Sequence, residues 1–402
     1  SLAITNLQRK FDKLLFFYLF IRVGNFSNVL FIVAMLLFSS CSVFRGLTLD
    51  GPSGSDIYEY QKLKRDTIFK GNNPFHFPLA ASHRCIDRSM HITHKKAGNA
   101  EEMRIDSLVE QWFGKDGQLL IIHNDSIVYD QWTEPFYPRK NATIFSVSKS
   151  LTGLLCGIAV DEGYIKSVDD YVTDYIPELA QYNATFKKLR IVHLLNMQAG
   201  FDFYEDYELT LKGLFKIFKI TQLQYGHDFT RLFRHIKFKS QPGEKYEYNS
   251  LTTALLSWII ERATGKTYAN YMSEKVWKPL GMERDAWVTI DSRKHHHTQG
   301  FGGIATNVYD LAKIGRLYLN GGTWNGKQIV SKEWIDKSLE KTTENKGYHY
   351  CWYHQYRDND ADNSSFYAFG VGHQFIYINQ KKNVIIARIG NNYNWMGWEM
   401  SF

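Results

Sequence analysis

The stretch FSVSKSLTGLLCG, residues 145–157, places three serines, Ser146, Ser148 and Ser150, around one lysine, Lys149. Residues three apart lie on the same face of a helix, whereas direct neighbours point about 100° apart. We therefore expect Lys149 to lie beside Ser146 and not beside the other two serines. The spacing holds an amine within reach of a hydroxyl at the start of a helix, where the helix dipole favours developing negative charge.

A serine hydroxyl is a weak nucleophile at neutral pH and needs a nearby base. Lys149 can be that base if burial lowers its pKa, or it can stay charged and activate a second base. The alternative interpretation of the stretch is a Ser-rich helix start without chemistry. A second segment, QPGEKYEYNS at 241–250, favours chemistry because its turn places Tyr248 and Ser250 just before a helix. A tyrosine there can act as general base and later as general acid, although it could also be a packing aromatic.

The charge distribution argues against a nucleic-acid partner. The chain has 48 basic and 41 acidic residues among 402, a net charge of +7, and the basic residues are spread out. A nucleic-acid-binding protein would need a clustered basic stripe with interleaved aromatics.

The first 41 residues have the pattern of a secretory signal. Basic residues precede the apolar run VLFIVAMLLF, residues 29–38, and small residues follow it before Cys41. A run of about ten apolar residues is too short to span a membrane, and LFSSC resembles a bacterial lipobox, so we expect a lipid-anchored protein of the bacterial cell envelope. A transmembrane anchor that also uses LLFFYLFI, residues 14–21, is the alternative. Both place the remaining chain outside the cytoplasmic membrane, facing the periplasm or exterior.

The cysteines predict neither a metal site nor a cofactor. With Cys41 assigned to lipid, Cys85, Cys156 and Cys351 remain, and no CxxC pair or Cys/His spacing is present. Cys156 lies in an apolar helix and is interpreted as a buried small hydrophobe. A disulfide between Cys85 and Cys351 is left open.

The remaining chain divides into a linker and N-terminal arm, residues 42–95, and one domain, residues 96–402. Alternating segments around short turns predict one hairpin near 117–132 and another near 372–390. Hairpins at both ends with helices between them indicate an α+β fold, in which an antiparallel sheet is built from both ends of the domain and a helical lobe, about 160–300, is inserted. Helices are predicted at 104–113, 146–162, 251–265 and 308–322.

Five segments, in this order, carry a resemblance to a known family: FSVSKSLTG, RIVHLLNMQAGF, PGEKYEYNS, KPLGM and GGIATNVYDLAKIGRLYLNGG. Together, over about residues 104–390, the series resembles the serine hydrolases of the class C β-lactamase and penicillin-binding type. The resemblance implies a β-lactamase/DD-peptidase-like fold, with an antiparallel sheet flanked by helices.

The resemblance also implies roles for single residues. Ser146 would be the acylated nucleophile, Lys149 its activating partner and Tyr248 the proton shuttle. The backbone amides of Ser146 and Val371 would stabilise the oxyanion. The residues expected to contact substrate are Ser250, Tyr207 and Gln374.

Two departures from the family pattern bear on the substrate. Ser250 stands where the family often has Asn. A serine at this position resembles the pattern of the 6-aminohexanoate-dimer hydrolase subgroup. The Lys-Thr-Gly motif is absent, and the matching region is FYAFGVGHQFIYI, residues 366–378. Recognition of a β-lactam carboxylate is therefore not expected.

The resulting expectation is a serine hydrolase that cleaves a small ester or amide through an acyl-enzyme on Ser146. A D-amino-acid peptidase or a β-lactamase that acts on peptidoglycan-related substrates is one alternative. A non-catalytic, penicillin-binding-like envelope lipoprotein is another. The oligomeric state is left open.

Overall fold

A seven-stranded antiparallel sheet is the largest sheet among the residues that the structure describes. Its strand order is β11-β12-β13-β14-β15-β4-β5, so strands from the C-terminal part meet strands from the N-terminal part where β15 pairs with β4. This arrangement confirms the predicted sheet that joins the two ends of the domain. The strands are β4 (Gly117–His123), β5 (Ser126–Trp132), β11 (Tyr348–His349), β12 (Trp352–His354), β13 (Ser365–Gly370), β14 (Gln374–Asn379) and β15 (Val384–Gly390).

The architecture is taken from a computed structural model. It describes residues 56–81, 91–96, 99–104, 117–133, 139–203, 219–341, 347–354 and 364–390, together with Ser42, Arg45, Gly46, Leu49, Ser107 and Glu205.

A second sheet brings the N-terminal arm into the domain. Its order is β1-β7-β8-β6, with β1 at Arg65–Ile68, β6 at Ala142–Thr143, β7 at Ala286–Thr289 and β8 at Ile304–Thr306. Strand β1 lies antiparallel to β7, and Ile68 is fully buried. The sequence left open whether the arm packs; residues 56–81 are in fact part of the folded domain. A separate hairpin consists of β2 (His91–Lys96) and β3 (Asn99–Arg104), and a small one of β9 (Thr323–Trp324) and β10 (Lys327–Gln328).

The helices cover the sheets and form the lobe between them. The helix that follows Ser146 is buried on every face from Ser148 to Ala159, as expected of a central core helix. It packs against the long helix that begins at Ser250. Within the described residues, the α-helices are α1 (Glu59–Lys62), α2 (Ser148–Asp161), α3 (Val172–Tyr175), α4 (Leu179–Tyr182), α5 (Ile191–Leu195), α6 (Arg231–His235), α7 (Ser250–Thr264), α8 (Tyr268–Met272), α9 (Val308–Leu319) and α10 (Lys332–Ser338).

Three of the predicted helices are confirmed as α2, α7 and α9. Gly265 ends α7 in the left-handed conformation, φ 66°, which glycine adopts without steric cost. Helix α9 lies on β4, β14 and β15, and Gly315 permits this close approach, because a Cβ there would lie 2.9 Å from Ile385 Cγ2. The predicted helix at 104–113 lies outside the described residues except for Arg104, which ends β3, and Ser107.

The N-terminal signal segment, residues 1–41 with Cys41, lies outside the described residues. Within the part of the chain that the structure describes, no helix has the length and apolar character needed to cross a membrane.

Candidate active site

Ser146 lies in a short 3-10 turn, Phe145–Val147, directly before α2. It is half-buried, whereas every other residue from 141 to 159 is buried. Phe145 has a positive φ of 45°, which is unfavourable for a bulky residue. Such backbone strain is concentrated at functional sites, where the surrounding structure holds it in place. The turn thus exposes one hydroxyl at the surface of an otherwise closed core.

The Lys149 amine lies against this hydroxyl, as the helical spacing predicts. Its Nζ donates to Ser146 Oγ at 2.9 Å and to the Phe301 carbonyl oxygen at 2.8 Å. The side chain is only 2% exposed, and this burial lowers the pKa of Lys149 from its usual 10.5 to about 8. A substantial fraction of the amine is therefore neutral near physiological pH.

The other two serines of the stretch have structural partners. Ser148 Oγ accepts a hydrogen bond from the Ile304 amide at 3.2 Å, and Ser150 Oγ donates to the Cys351 carbonyl at 2.5 Å. Both serines are buried. The expectation that only Ser146 faces Lys149 is confirmed.

Tyr248 completes the group around Ser146. Its ring centroid lies 4.9 Å from Lys149 Nζ, and its hydroxyl forms a hydrogen bond with the Ser146 side chain that lowers the pKa of Tyr248. Burial has the larger and opposite effect, so the pKa of Tyr248 lies well above 10. The phenol is thus protonated at neutral pH. Its ring is held edge-on to Tyr348 and stacked on Tyr353, at centroid distances of 6.1 and 6.4 Å.

The loop before α7 places Tyr248 through contacts on both sides. The Glu247 amide donates to the Met197 carbonyl at 2.8 Å. Asn249 caps α7, since its Oδ1 accepts from the Leu251 amide at 2.9 Å. The Asn249 side chain also donates to the Phe203 carbonyl at 2.8 Å.

Glu205 belongs to the same site, which sequence reasoning missed. Its carboxylate accepts a hydrogen bond from the Ser250 amide at the N-terminus of α7, where the helix dipole favours negative charge. Its charge raises the pKa values of Lys149 and Tyr248, partly opposing burial for the lysine. The sequence signal for Glu205 is the acidic turn at 205–207. In that turn Tyr207 was the residue predicted to contact substrate, and it lies outside the described residues.

The turn after β13 approaches Ser146 from the sheet. A Cβ on Gly370 would lie 2.6 Å from the Ile144 carbonyl oxygen and 3.1 Å from the Ser146 amide nitrogen, so only glycine fits there. Val371 follows in the 3-10 turn Val371–His373 and is 43% exposed. The predicted pair of backbone donors, at Ser146 and Val371, therefore lies on two adjacent segments.

Gln374 and Arg388 support this turn from below. Gln374 is fully buried; its Nε2 donates to the Gly390 carbonyl at 2.5 Å, and its Oε1 accepts from the Gly390 amide at 2.8 Å. Arg388 donates to the Gly372 carbonyl at 3.2 Å and to the His373 carbonyl. Gln374, which the sequence predicts to contact substrate, thus forms hydrogen bonds with backbone groups instead. We interpret Gln374 as a residue that holds the turn in place.

The remaining predicted positions have mixed outcomes. Ser250 is the first residue of α7 and is buried. Its backbone amide donates a hydrogen bond to the Glu205 carboxylate. Cys156 and Cys351 are buried free thiols, whereas Cys85 lies outside the described residues. Donor atoms that suit a metal ion come together on other loops, at Asp228, His295 and His297.

The chain matches the protein family described as Beta-lactamase over residues 106–396. It belongs to the beta-lactamase family. The chain is thus a member of the β-lactamase-fold serine hydrolase family, and solved structures with this fold include penicillin-binding proteins.

Among the relatives, the 6-aminohexanoate-dimer hydrolase of Paenarthrobacter ureafaciens is 30% identical over 225 residues, which are 55% of this chain and 56% of that protein. The chain thus matches little more than half of that relative's length. A Bacillus anthracis protein provisionally named 6-aminohexanoate-dimer hydrolase superposes with a TM-score of 0.67 at 23% identity, covering 83% of this chain and 86% of that one. A family VIII carboxylesterase superposes with a TM-score of 0.54 at 18% identity, over 69% and 86% of the two chains.

Replacing Glu205 by Gln should lower the pKa of Lys149 further, because the substitution removes the negative charge that raises it. Gln keeps an oxygen that can accept from the Ser250 amide. The measurement is the pH dependence of covalent labelling of Ser146 by a fluorophosphonate, whose midpoint should move to lower pH. Glu247→Gln is the control, since Glu247 pairs with Lys239. An unchanged or raised midpoint in Glu205→Gln would contradict the assignment.

Proposed function

We propose that the protein hydrolyses a small ester or amide through an acyl-enzyme on Ser146. One observation carries the proposal: a buried amine with a pKa of about 8 lies 2.9 Å from the single half-exposed serine of the core stretch. A lysine with only a structural role gains nothing from burial that lowers its pKa. A lysine that accepts a proton must be neutral, and burial stabilises that neutral form.

In the proposed acylation step, neutral Lys149 accepts the Ser146 proton while its N–H groups still bond to the Phe301 carbonyl. The Ser146 Oγ forms a bond to the substrate carbonyl carbon, and the oxyanion is stabilised by the Ser146 and Val371 amides. The bond to the leaving group then breaks as Tyr248 donates its proton to that group. Lys149 returns a proton to Tyr248. Water then attacks the acyl carbonyl carbon while Lys149 accepts one of its protons, and the bond to Ser146 Oγ breaks as that oxygen regains a proton from Lys149 through Tyr248, which releases the acid.

Assigning the base to Lys149 rather than Tyr248 follows from their opposite pKa shifts. Burial stabilises the neutral form of both groups, and a neutral amine accepts a proton whereas a neutral phenol donates one. Of the two schemes that the sequence left open, the structure favours the one with lysine as the proton acceptor.

The proposed substrate class rests on the absence of the Lys-Thr-Gly motif at β13. Its residues, Ser365–Gly370, include no lysine that could pair with a β-lactam carboxylate. Similar proteins include a 6-aminohexanoate-dimer hydrolase and, among solved structures, a carboxylesterase, whose names specify a 6-aminohexanoate dimer and carboxyl esters. We therefore favour a small ester or amide over a β-lactam.

Replacing Ser146 by Ala should abolish labelling by a fluorophosphonate, since the attacking oxygen is lost. Intact-mass measurement should show one adduct per wild-type chain, and peptide mapping should place it on Ser146. Ser148→Ala is the matched control and should keep most of the labelling. A folded wild-type chain without an adduct, or an adduct on Ser148, would overturn the proposal.

Replacing Tyr248 by Phe should reduce kcat/KM by about 10²–10⁴ for an amide, because the proton donor to the leaving nitrogen is lost. The ring contacts with Tyr348 and Tyr353 need no hydroxyl, so the fold should be kept. The measurement compares p-nitrophenyl acetate with the p-nitroanilide of the same acyl group. Nitrophenolate leaves without a proton, so the ester should lose less. Equal losses for both substrates would indicate a purely structural tyrosine.

We also propose attachment to the bacterial envelope through lipid on Cys41, with the domain facing the periplasm or exterior. The support is the basic, apolar and small-residue order of residues 1–41. Metabolic labelling with an alkyne fatty acid should mark the wild-type chain and not Cys41→Ser. Equal labelling of both would remove the proposal, and membrane retention of an unlabelled chain would favour the transmembrane alternative.

A further inference from the structure

Two loops, one before α6 and one after β7, bring two histidines close to one carboxylate. Asp228 lies shortly before α6, and His295 and His297 lie in the loop between β7 and β8. Asp228 Oδ2 is 3.8 Å from His295 Nδ1, and Asp228 Oδ1 is 3.9 Å from His297 Nε2. Potential ligand atoms of all three residues lie within 4.8 Å of one another.

We propose that Asp228, His295 and His297 bind one divalent first-row transition ion of the Zn²⁺ class. Two imidazole nitrogens and a carboxylate oxygen are a common donor set for such ions. Metal–ligand bonds of about 2.0–2.2 Å in tetrahedral geometry require ligand atoms about 3.4 Å apart. The two imidazole nitrogens lie 3.8 and 3.9 Å from different oxygens of the Asp228 carboxylate, so side-chain shifts would have to bring both nitrogens to one oxygen, starting from ligand atoms within 4.8 Å of one another. The fourth position would be open to water.

Supporting contacts already orient two of the ligands. The Thr230 amide donates to Asp228 Oδ1 at 3.1 Å, and the Thr230 hydroxyl donates to the same oxygen. The His297 ring lies 5.5 Å from both the Phe229 and the Trp258 rings, between centroids. Outer contacts of this kind fix the ligand directions and strengthen metal binding.

The two loops are also joined by a second carboxylate. Asp291 Oδ1 accepts from the His297 amide at 3.0 Å, and Asp291 Oδ2 accepts from the Phe229 amide at 3.4 Å. The ligands are therefore brought together by backbone contacts that do not require an ion. This reduces the ordering cost of binding.

Arg231 is the existing cationic neighbour of Asp228. Its Nε lies 3.3 Å from Asp228 Oδ2, and its side chain is 63% exposed. The guanidinium lies at the surface, whereas the Asp228 side chain is only 6% exposed, so a metal ion that replaced the arginine would keep the buried carboxylate paired with a positive charge. The arginine can therefore swing into solvent and yield the carboxylate to a metal ion.

A bound ion would add a further link between two segments that already meet through Asp291. The histidine loop continues to Phe301, whose carbonyl accepts from Lys149. We therefore assign the ion a structural role, which is independent of the hydrolase proposal. At a hundredfold excess of ion over its Kd, the expected rise in Tm is about 4 °C for a folded domain of roughly 300 residues.

The test uses the full chain, stripped with a chelator and then titrated with ZnCl₂ and, separately, CoCl₂. The wild type should bind one Zn²⁺ per chain, raise its Tm and develop the visible absorption of tetrahedral Co²⁺. His297→Gln and Asp228→Asn should each weaken binding by more than the 10–100-fold that outer contacts control. Their Tm values in chelator show whether each variant folds.

His296→Asn is the matched control. His296 Nε2 instead lies 3.0 Å from Asp66 Oδ2, and its positive φ of 60° is one that Asn tolerates. This variant should bind Zn²⁺ like the wild type. Wild-type binding no tighter than that of a folded His295→Gln/His297→Gln double variant would overturn the proposal, as would equal weakening by His296→Asn.

Discussion

The burial of the Lys149 amine beneath Ser146 is the interaction on which the candidate site depends. A charged ammonium is costly to bury, so the surroundings favour the neutral amine and lower the pKa to about 8. Helix α2 provides the closed core, the Phe301 carbonyl fixes the amine, and Glu205 limits the shift by its opposing charge. Without the closed core or the Phe301 carbonyl, the lysine would be either fully charged or misdirected, and without Glu205 its pKa would fall further.

The arrangement joins the two halves of the fold at one turn. The helical lobe brings Tyr248 and Glu205, and the seven-stranded sheet brings Gly370 and the Val371 turn. Both reach the strained segment that contains Ser146. Because no single element carries the site, its chemistry depends on the packing of α2 against α7 and of β13 against the turn. This explains why the buried side chains of Gln374 and Arg388, which bond to backbone carbonyls of the Val371 turn, matter for the geometry.

Local geometry made part of this predictable from sequence. The i, i+3 spacing identified Ser146 and Lys149 because helix geometry is independent of the remaining chain. Alternation identified the two hairpins for the same reason. The contact of Glu205 with the start of α7 and the meeting of Asp228 with His295 require tertiary structure. The motif position of Gln374 predicted contact with substrate. Motif position alone does not show that the side-chain amide bonds to Gly390 instead.

The most direct test of the central claim is an NMR titration of the Lys149 side chain in protein labelled with ¹³C at lysine Cε. The Lys149→Met variant identifies the signal. The account predicts a pKa of about 8 for Lys149, distinct from the exposed lysines near 10.4. A Lys149 that titrates with the exposed lysines would contradict it, because almost none of the amine would then be neutral near neutral pH to accept the serine proton.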